Sequence, residues 1–356
     1  MRPLLPQAES VLPFLKQVDA RRIYTNSGPN VPALEQGLAH LLSIDPSRVV
    51  AMSSATAALQ ASLAVFSKKR WVAPAWSFAA TGHAIHGAGA SIAWSDVDPQ
   101  TWMLGESDIR SAALHDCGVS LTLPFGADFG SAGPWSQPAT EMVVDAAASI
   151  GADLSGLQDQ SERCILVISL HATKVLGCGE GGFAVAPTAD LATEIRRYRS
   201  FGFDEGRIAV APGTNAKMSE LGASYALAAL GEASTEFEQW RLQEASIRAL
   251  AEALGLPYRP ANSTGISPYW LMDFSDAPDR RHHLEAVLDH HRVEYRYWWP
   301  LPLPEMPAFS STASHSYPVS RRLASGVMGL PKWRDMGARE WTTIKVALSE
   351  FVSGVN

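Results

Sequence analysis

The chain has 356 residues, 46% apolar and 18% charged, a composition that excludes wholesale disorder and is large enough for one big domain plus a smaller one. Lys and Arg number 29 against 36 Asp and Glu, a net charge of -7; with no basic run, there is no electrostatic footprint for nucleic acid. The three cysteines, Cys117, Cys164 and Cys178, are odd in number and lack a CxxC pair, which excludes a disulfide scaffold and a structural zinc site. The opening MRPLLPQAES is not a basic patch followed by an apolar core, so no signal peptide is expected. No apolar run approaches the ~20 residues needed to span a bilayer. The expected compartment is a reducing cytoplasm.

In chain order, Arg48 to Met52 reads as a strand, and Ala57 to Phe66, rich in Ala and Leu, as a helix. Trp71 to Ala73 and Ser91 to Trp94 read as strands, with a helical Ala79 to His86 segment between them. Leu121 to Leu123, Met142 to Val144 and Ile165 to Ile168 read as further strands. This alternation predicts an α/β domain with a mostly parallel sheet. The GCGEGG segment, Gly177 to Gly182, marks a tight reversal before another strand, Phe183 to Val185. A long helical stretch is predicted from Ser219 to about Ala251, bridging to a second unit of helices and Pro-rich loops.

Ligands of open α/β sheets bind outside the carboxyl ends of the strands, and three candidate groups lie there. Ser53, Ser54, Ala55 and Thr56 stand between a strand and a helix. Free N–H groups at the helix start, with the hydroxyls, suit a phosphate; an ordinary N-cap is the other reading. Asp145 follows Met142-Val143-Val144 and suits a partner for a pyridinium nitrogen, or a turn or capping Asp. Lys174 closes SLHATK, between an apolar strand and GCGEGG. Shielded from water it suits imine chemistry, since the neutral amine is the nucleophile; alternatively it is a solvated surface lysine. Together the three groups supply a phosphate cradle, a ring-nitrogen partner and an imine-forming amine. That is the set pyridoxal 5'-phosphate (PLP) requires.

The chain resembles the DegT/DnrJ/EryC1/StrS sugar aminotransferases over nearly its whole length. The resemblance rests on YTNSGPNVPALE (Tyr24 to Glu35), SSATAAL (Ser53 to Leu59), PAWSFAATGHAI (Pro74 to Ile85), DVDPQTW (Asp96 to Trp102), VDAAASIGA (Val144 to Ala152), SLHATKVLGCGEGG (Ser169 to Gly182) and GTNAKMSEL (Gly213 to Leu221). It implies a type I PLP-transferase fold: a large α/β domain over residues 1–235, with its N-terminal arm, and a small α+β domain over 236–356. Lys174 would form the Schiff base and act as acid and base in the proton transfer. Asp145 would pair with the ring nitrogen. Ser54, Ala55, Thr56 and Ser169 would bind the phosphate, and Phe78 would stack on the ring. Asn215 would reach the phosphate of the neighbouring subunit's cofactor, making a homodimer with shared active sites.

Two positions depart from the family pattern. Ala148 stands where Gln or His usually does, three residues after the aspartate, and Pro304 stands where the small domain usually has His. Tyr297-Trp298-Trp299 is either a stacking wall for a sugar or base or part of a core. The resemblance implies transfer of an amino group from L-glutamate to a nucleotide-linked keto-deoxysugar, a 4-keto-6-deoxyhexose. The alternatives are a PLP-dependent sugar dehydratase or lyase of the same fold, against which retention of Lys174 argues, and a catalytically poor PLP- or sugar-binding regulatory protein, which Ala148 and Pro304 keep open.

Overall fold

The structure, a computed structural model, describes residues 2–130, 140–157, 161–310 and 316–354. Seven strands form the large sheet: β1 (Val49–Met52), β2 (Arg70–Pro74), β3 (Ser91–Ser95), β4 (Gly118–Thr122), β5 (Met142–Asp145), β6 (Cys164–Ser169) and β7 (Gly182–Val185). Their order is β1-β7-β6-β5-β4-β2-β3. All neighbours from β6 to β3 are parallel, and β7 runs antiparallel to both β1 and β6. The expected α/β architecture is therefore observed.

The central strands are apolar without interruption because both faces of the sheet are covered. Along a strand, successive side chains point to opposite faces. Val49, Ala51, Val144 and Leu166 meet a core built with α2 (Asn30–Leu42), α5 (Glu106–Leu114) and α7 (Glu220–Gly231), and α1 (Ala8–Arg21) lies beside α7. Val50, Val143 and Ile165 meet the opposite core, with α3 (Ala55–Val65), α4 (Ala79–Gly87) and α6 (Ala189–Tyr198). That alternation sends Asp145, two residues beyond Val143, to the face carrying α4.

The single long helix expected from Ser219 is two helices. α7 ends at Gly231, and α8 (Ala233–Leu254) begins after Glu232, whose ψ of 0° departs from the helical value. The break lets α7 stay on the large sheet while α8 leaves it. Trp240 packs in the large core, whereas Ile247 and Ala251 pack in a second one. This second core belongs to a three-stranded antiparallel sheet of β8 (Tyr258–Arg259), β9 (Trp270–Asp273) and β10 (Val327–Leu330), in the order β10-β9-β8. It is completed by α9 (Pro278–His290) and α11 (Ala338–Ser353), while α10 (Pro318–Gly326) leads into β10.

Buried charges fix the chain around β1. Glu220 is fully buried and its carboxylate accepts from the N–H groups of Asn30 (2.6 Å) and Val31 (3.3 Å), the start of α2. Glu35 of α2 accepts from the Ala51 N–H (2.9 Å) and from Arg199 (2.9 Å), tying α2 to β1 and to the end of α6. Cys117, Cys164 and Cys178 are all free and buried. No helix among the described residues is long and apolar enough to cross a membrane.

Replacing Glu220 with Ala leaves two N–H groups without their acceptor in a dry site. The substitution is expected to lower unfolding free energy by about 1–3 kcal/mol, read from chemical denaturation; an unchanged midpoint would show that the cap carries no stability.

Candidate functional site

Strand register brings the predicted groups together. Thr122 pairs with Asp145 across β4 and β5, and Ser169 pairs with Gly182, which pairs with Met52. Adjacent strands lie about 4.8 Å apart, so the segment after Met52 emerges beside Ser169. The Ser53 N–H is held by the Ala216 carbonyl (2.9 Å). Gly182 is required here, because an added Cβ would collide with the Ala55 N–H nitrogen. The glycine lets β7 pass directly under the start of α3.

Ser54 is the N-cap of α3, its Oγ accepting from the Ala57 N–H (3.1 Å). The capping reading of this segment is thus correct for Ser54. It does not compete with anion binding, because the N–H groups of Ala55 and Thr56 precede any acceptor within the helix. Ser54, Ala55, Thr56 and Ser169 all line one cavity of about 340 Å³.

Asp145 lines the same cavity and is 4% exposed. Its Oδ1 accepts from the Ala147 N–H (3.1 Å), and Thr81 donates to Oδ2 (3.4 Å). Thr81 is itself linked through Ser77 to Thr122, each contact 2.9 Å. Burial pushes the Asp145 carboxyl above the ordinary range, against the opposing pull of the Ala147 N–H, Lys174 and Thr81. A cation brought into the cavity against this oxygen pair would relieve that cost.

Lys174 stands in the loop after β6. The loop is pinned by the Leu170 N–H to Gly181 carbonyl bond (3.0 Å) and the Ala172 N–H to Gly179 carbonyl bond (2.8 Å). Gly179 has φ of 100°, which explains its place in the reversal. The Lys174 Nζ donates to the Tyr269 hydroxyl (2.9 Å). It is not a free surface lysine. Burial, with Glu180 nearby, pushes the Cys178 thiol up to about 12, so this cysteine is no nucleophile at neutral pH.

Phe78 caps α4 and is 59% exposed, its ring at the rim of the cavity. Asn215 does not line the cavity; it is exposed on the neighbouring loop, where its Oδ1 accepts from Lys217 (2.7 Å). The aromatic triplet divides. Tyr297 packs against the small core, while Trp298 and Trp299 join Trp76, Phe125, Ala148 and Tyr269 in a cluster between the two sheets. Trp299 stacks on Phe125 with centroids 4.4 Å apart and planes at 19°. Phe125 holds a φ of 57°, an uncommon conformation for so bulky a residue. Ala148 thus sits within this aromatic wall.

Sequence reasoning missed Tyr269, the Ser77-Thr81-Thr122 chain, Phe125 and Arg296. Arg296 also lines the cavity. None has a local signature: Tyr269 lies 95 positions from the lysine it contacts.

A profile of the DegT/DnrJ/EryC1/StrS aminotransferase family matches residues 7–123 and 134–349. The chain is 24% identical over 359 residues to the dTDP-4-amino-4,6-dideoxy-D-glucose transaminase of Escherichia coli, covering 94% of this chain and 93% of that one. It is 26% identical over 314 residues to a UDP-2-acetamido-2-deoxy-3-oxo-D-glucuronate aminotransferase of Pseudomonas aeruginosa, covering 85% and 86%. The structure superposes on DesI, solved in the presence of its TDP-sugar product, with a TM-score of 0.85 and 25% identity over 99% of this chain and 93% of that one. It shares its fold with NtdA from Bacillus subtilis, solved with bound PMP, with a TM-score of 0.84 and 20% identity over 97% and 82%.

The buried carboxylate predicts a pH effect in the cofactor-free protein. A carboxyl raised in the folded state contributes stability at low pH and loses it as pH rises through the raised value. Cofactor-free Asp145→Asn is therefore expected to melt above the parent at about pH 7, with the gap closing toward about pH 4. A gap that is absent at both, or that widens on acidification, would contradict the assigned cause.

Proposed function

The chain belongs to the DegT/DnrJ/EryC1/StrS aminotransferase family, and from that premise we propose that it moves an amino group from L-glutamate to the keto group of a nucleotide-linked deoxysugar, a 4-keto-6-deoxyhexose. The observation that carries this reading is one cavity lined by a lysine amine, a buried carboxylate and the free start of a helix. The residues fit PLP. The Ala55 and Thr56 N–H groups and the Thr56 and Ser169 hydroxyls suit its phosphate, and Phe78 at the rim suits its ring face. When bound, PLP supplies an electron sink for carbanion chemistry.

This chain's residues do the rest. Asp145 would hold the ring nitrogen of the bound cofactor protonated, its buried carboxylate gaining a compensating cation in return. Lys174 supplies the amine that holds the cofactor. With the cofactor in place, its Nζ would also serve as the acid and base that moves a proton. The Tyr269 hydroxyl holds Nζ in reach of that path. The wall of Phe125, Tyr269, Trp298 and Trp299 excludes water on the acceptor side. Glutamate and the ketosugar take turns in this one cavity, a ping-pong order.

We also assign a homodimer, in which the exposed Asn215 reaches the neighbouring subunit's cofactor phosphate, and a cytoplasmic location. The boundary between large and small domains is proposed near residue 235, in the first turn of α8. A second reading, a PLP- or sugar-binding protein without turnover, draws on one observation: Ala148 gives the cavity a methyl group where the family resemblance implies Gln or His.

Absorbance with and without glutamate separates the two readings. A visible cofactor band that glutamate shifts supports transamination, and a band that no amino donor shifts supports the binding protein. A panel of nucleotide ketosugars then tests the acceptor: turnover on a 3-keto sugar with none on 4-keto sugars would sink the C4 assignment. Lys174→Ala is expected to abolish both the visible band and turnover. Tyr269→Phe is expected to retain the band and lower turnover by roughly 2- to 10-fold, the worth of one hydrogen bond.

A further inference from the structure

One buried charge has no part in the cofactor site. Lys332 is 1% exposed and lies in the segment that leads from β10 to α11. Its Nζ donates to a carboxylate oxygen of Glu244 on α8 (2.8 Å) and lies 5.7 Å from the centroid of the Trp240 ring. The Tyr258 hydroxyl of β8 donates to the other Glu244 oxygen. Burial pulls the Lys332 ammonium below its ordinary value, and Glu244 opposes that pull. Apolar side chains of like volume often replace such a pair with no loss of stability. Stability alone therefore does not account for it. What an ion pair adds to an apolar contact is a fixed distance between the two chain segments that carry it.

Two more contacts grip the same segment. Gln243 of α8 donates through Nε2 to the carbonyls of Trp333 (2.6 Å) and Arg334 (3.0 Å), and Arg334 pairs with Glu236, also on α8. The ladder before the segment pairs Leu330 of β10 with Trp270 of β9, antiparallel. Carried past that last pair, the register brings Pro331 opposite Tyr269 and Lys332 opposite Pro268. Lys332, Pro268 and Trp240 line a gap of only about 20 Å³ together with Thr173 and Lys174. The segment that Glu244 holds thus stands against both halves of the hydrogen bond between Lys174 and Tyr269: the lysine loop, and the residue before the tyrosine.

We propose that Glu244 and Lys332 are a positioning pair, which fixes the segment after β10 and thereby sets the approach of the Tyr269 hydroxyl to the Lys174 Nζ. The inference rests on Lys174 being the amine that holds the cofactor. Neither member of the pair lines the cofactor cavity, so the pair acts through Tyr269 and not on cofactor or substrate. Close-packed interiors transmit small displacements. The Lys174 to Tyr269 bond, 2.9 Å long, is lost once its atoms part beyond about 3.5 Å.

The test is the pH midpoint of the visible band of the PLP-loaded protein, followed by absorbance. Lys332→Met with Glu244→Gln removes both charges together, leaves no unpaired ion in the core and keeps an acceptor for Tyr258. Its midpoint is expected to move by roughly half a pH unit in the sense that Tyr269→Phe moves it, the size of one weakened hydrogen bond. In a Tyr269→Phe background the same double substitution is expected to move nothing, because the contact it acts through is already gone. Asp145, His171, Glu180 and Arg296, which share the cavity with Lys174, and Arg2 and Arg334, which share the gap, are unchanged in all these proteins and cancel in the comparison. Glu244→Gln alone, in which Lys332 keeps an acceptor, carries the same pair of expectations should the double variant fail to fold. An unmoved midpoint, in Tyr269→Phe or in the folded variant, overturns the proposal. So does a shift of equal size with and without the Tyr269 hydroxyl, the mark of a diffuse electrostatic effect. A visible band that survives Lys174→Ala defeats the reading of Lys174 and the proposal with it. A band that Lys174→Ala abolishes, with a midpoint that Lys332→Met/Glu244→Gln leaves in place, overturns the positioning pair alone.

Discussion

Asp145 ends β5 with its side chain almost wholly buried, and burying an ion without a counter-charge costs several kcal/mol. Much of the surrounding structure answers to that constraint. The alternation of β5 turns the side chain toward α4, where Thr81 donates to it and is held in turn by Ser77 and Thr122. The Ala147 N–H satisfies the other oxygen. These bonds soften the burial cost without cancelling it, so the site remains poised for a positive group. A pyridinium nitrogen is such a group, and the PLP dependence of the family accords with the residual imbalance.

The second determinant is the closeness of β7 to α3. An antiparallel strand between two others, with glycine where it meets the helix start, aligns Met52, Gly182 and Ser169 side by side. The same reversal that delivers β7 places Lys174 in the loop before it. The helix start and the lysine amine are therefore brought together by one piece of topology, the GCGEGG turn folded back along β6. The buried ion pair of Glu35 and Arg199 keeps β1 in register from the other side.

The opposite wall joins Tyr269, just before β9, and Trp298 and Trp299, between α9 and β10, to Phe125, which follows β4. Phe125 is held at positive φ and stacked on Trp299, while Ala148, small in this crowded place, leaves room for both. A larger polar residue at 148 would compete with that packing. The departure from the family pattern is thus linked to the aromatic wall by volume, and Pro304 lies buried in the same Pro-rich segment that carries Trp298 and Trp299.

Sequence by itself determined the sheet, because continuous apolar runs at regular intervals have few folds open to them, and it pointed to the groups that line one cavity, because they follow the carboxyl ends of the strands. Lys174, Asp145 and the Ser54–Thr56 segment were legible for that reason. It misjudged the stretch from Ser219, since helical periodicity runs on through Glu232 and only the need to pack against two different cores breaks it there. Tertiary structure alone decided that Tyr269 holds the lysine, that Trp298 and Trp299 face the cavity while Tyr297 does not, and that Glu244 and Lys332 pair beside the lysine loop. Such contacts join positions far apart in sequence, and no local pattern of residues encodes a distance across the fold.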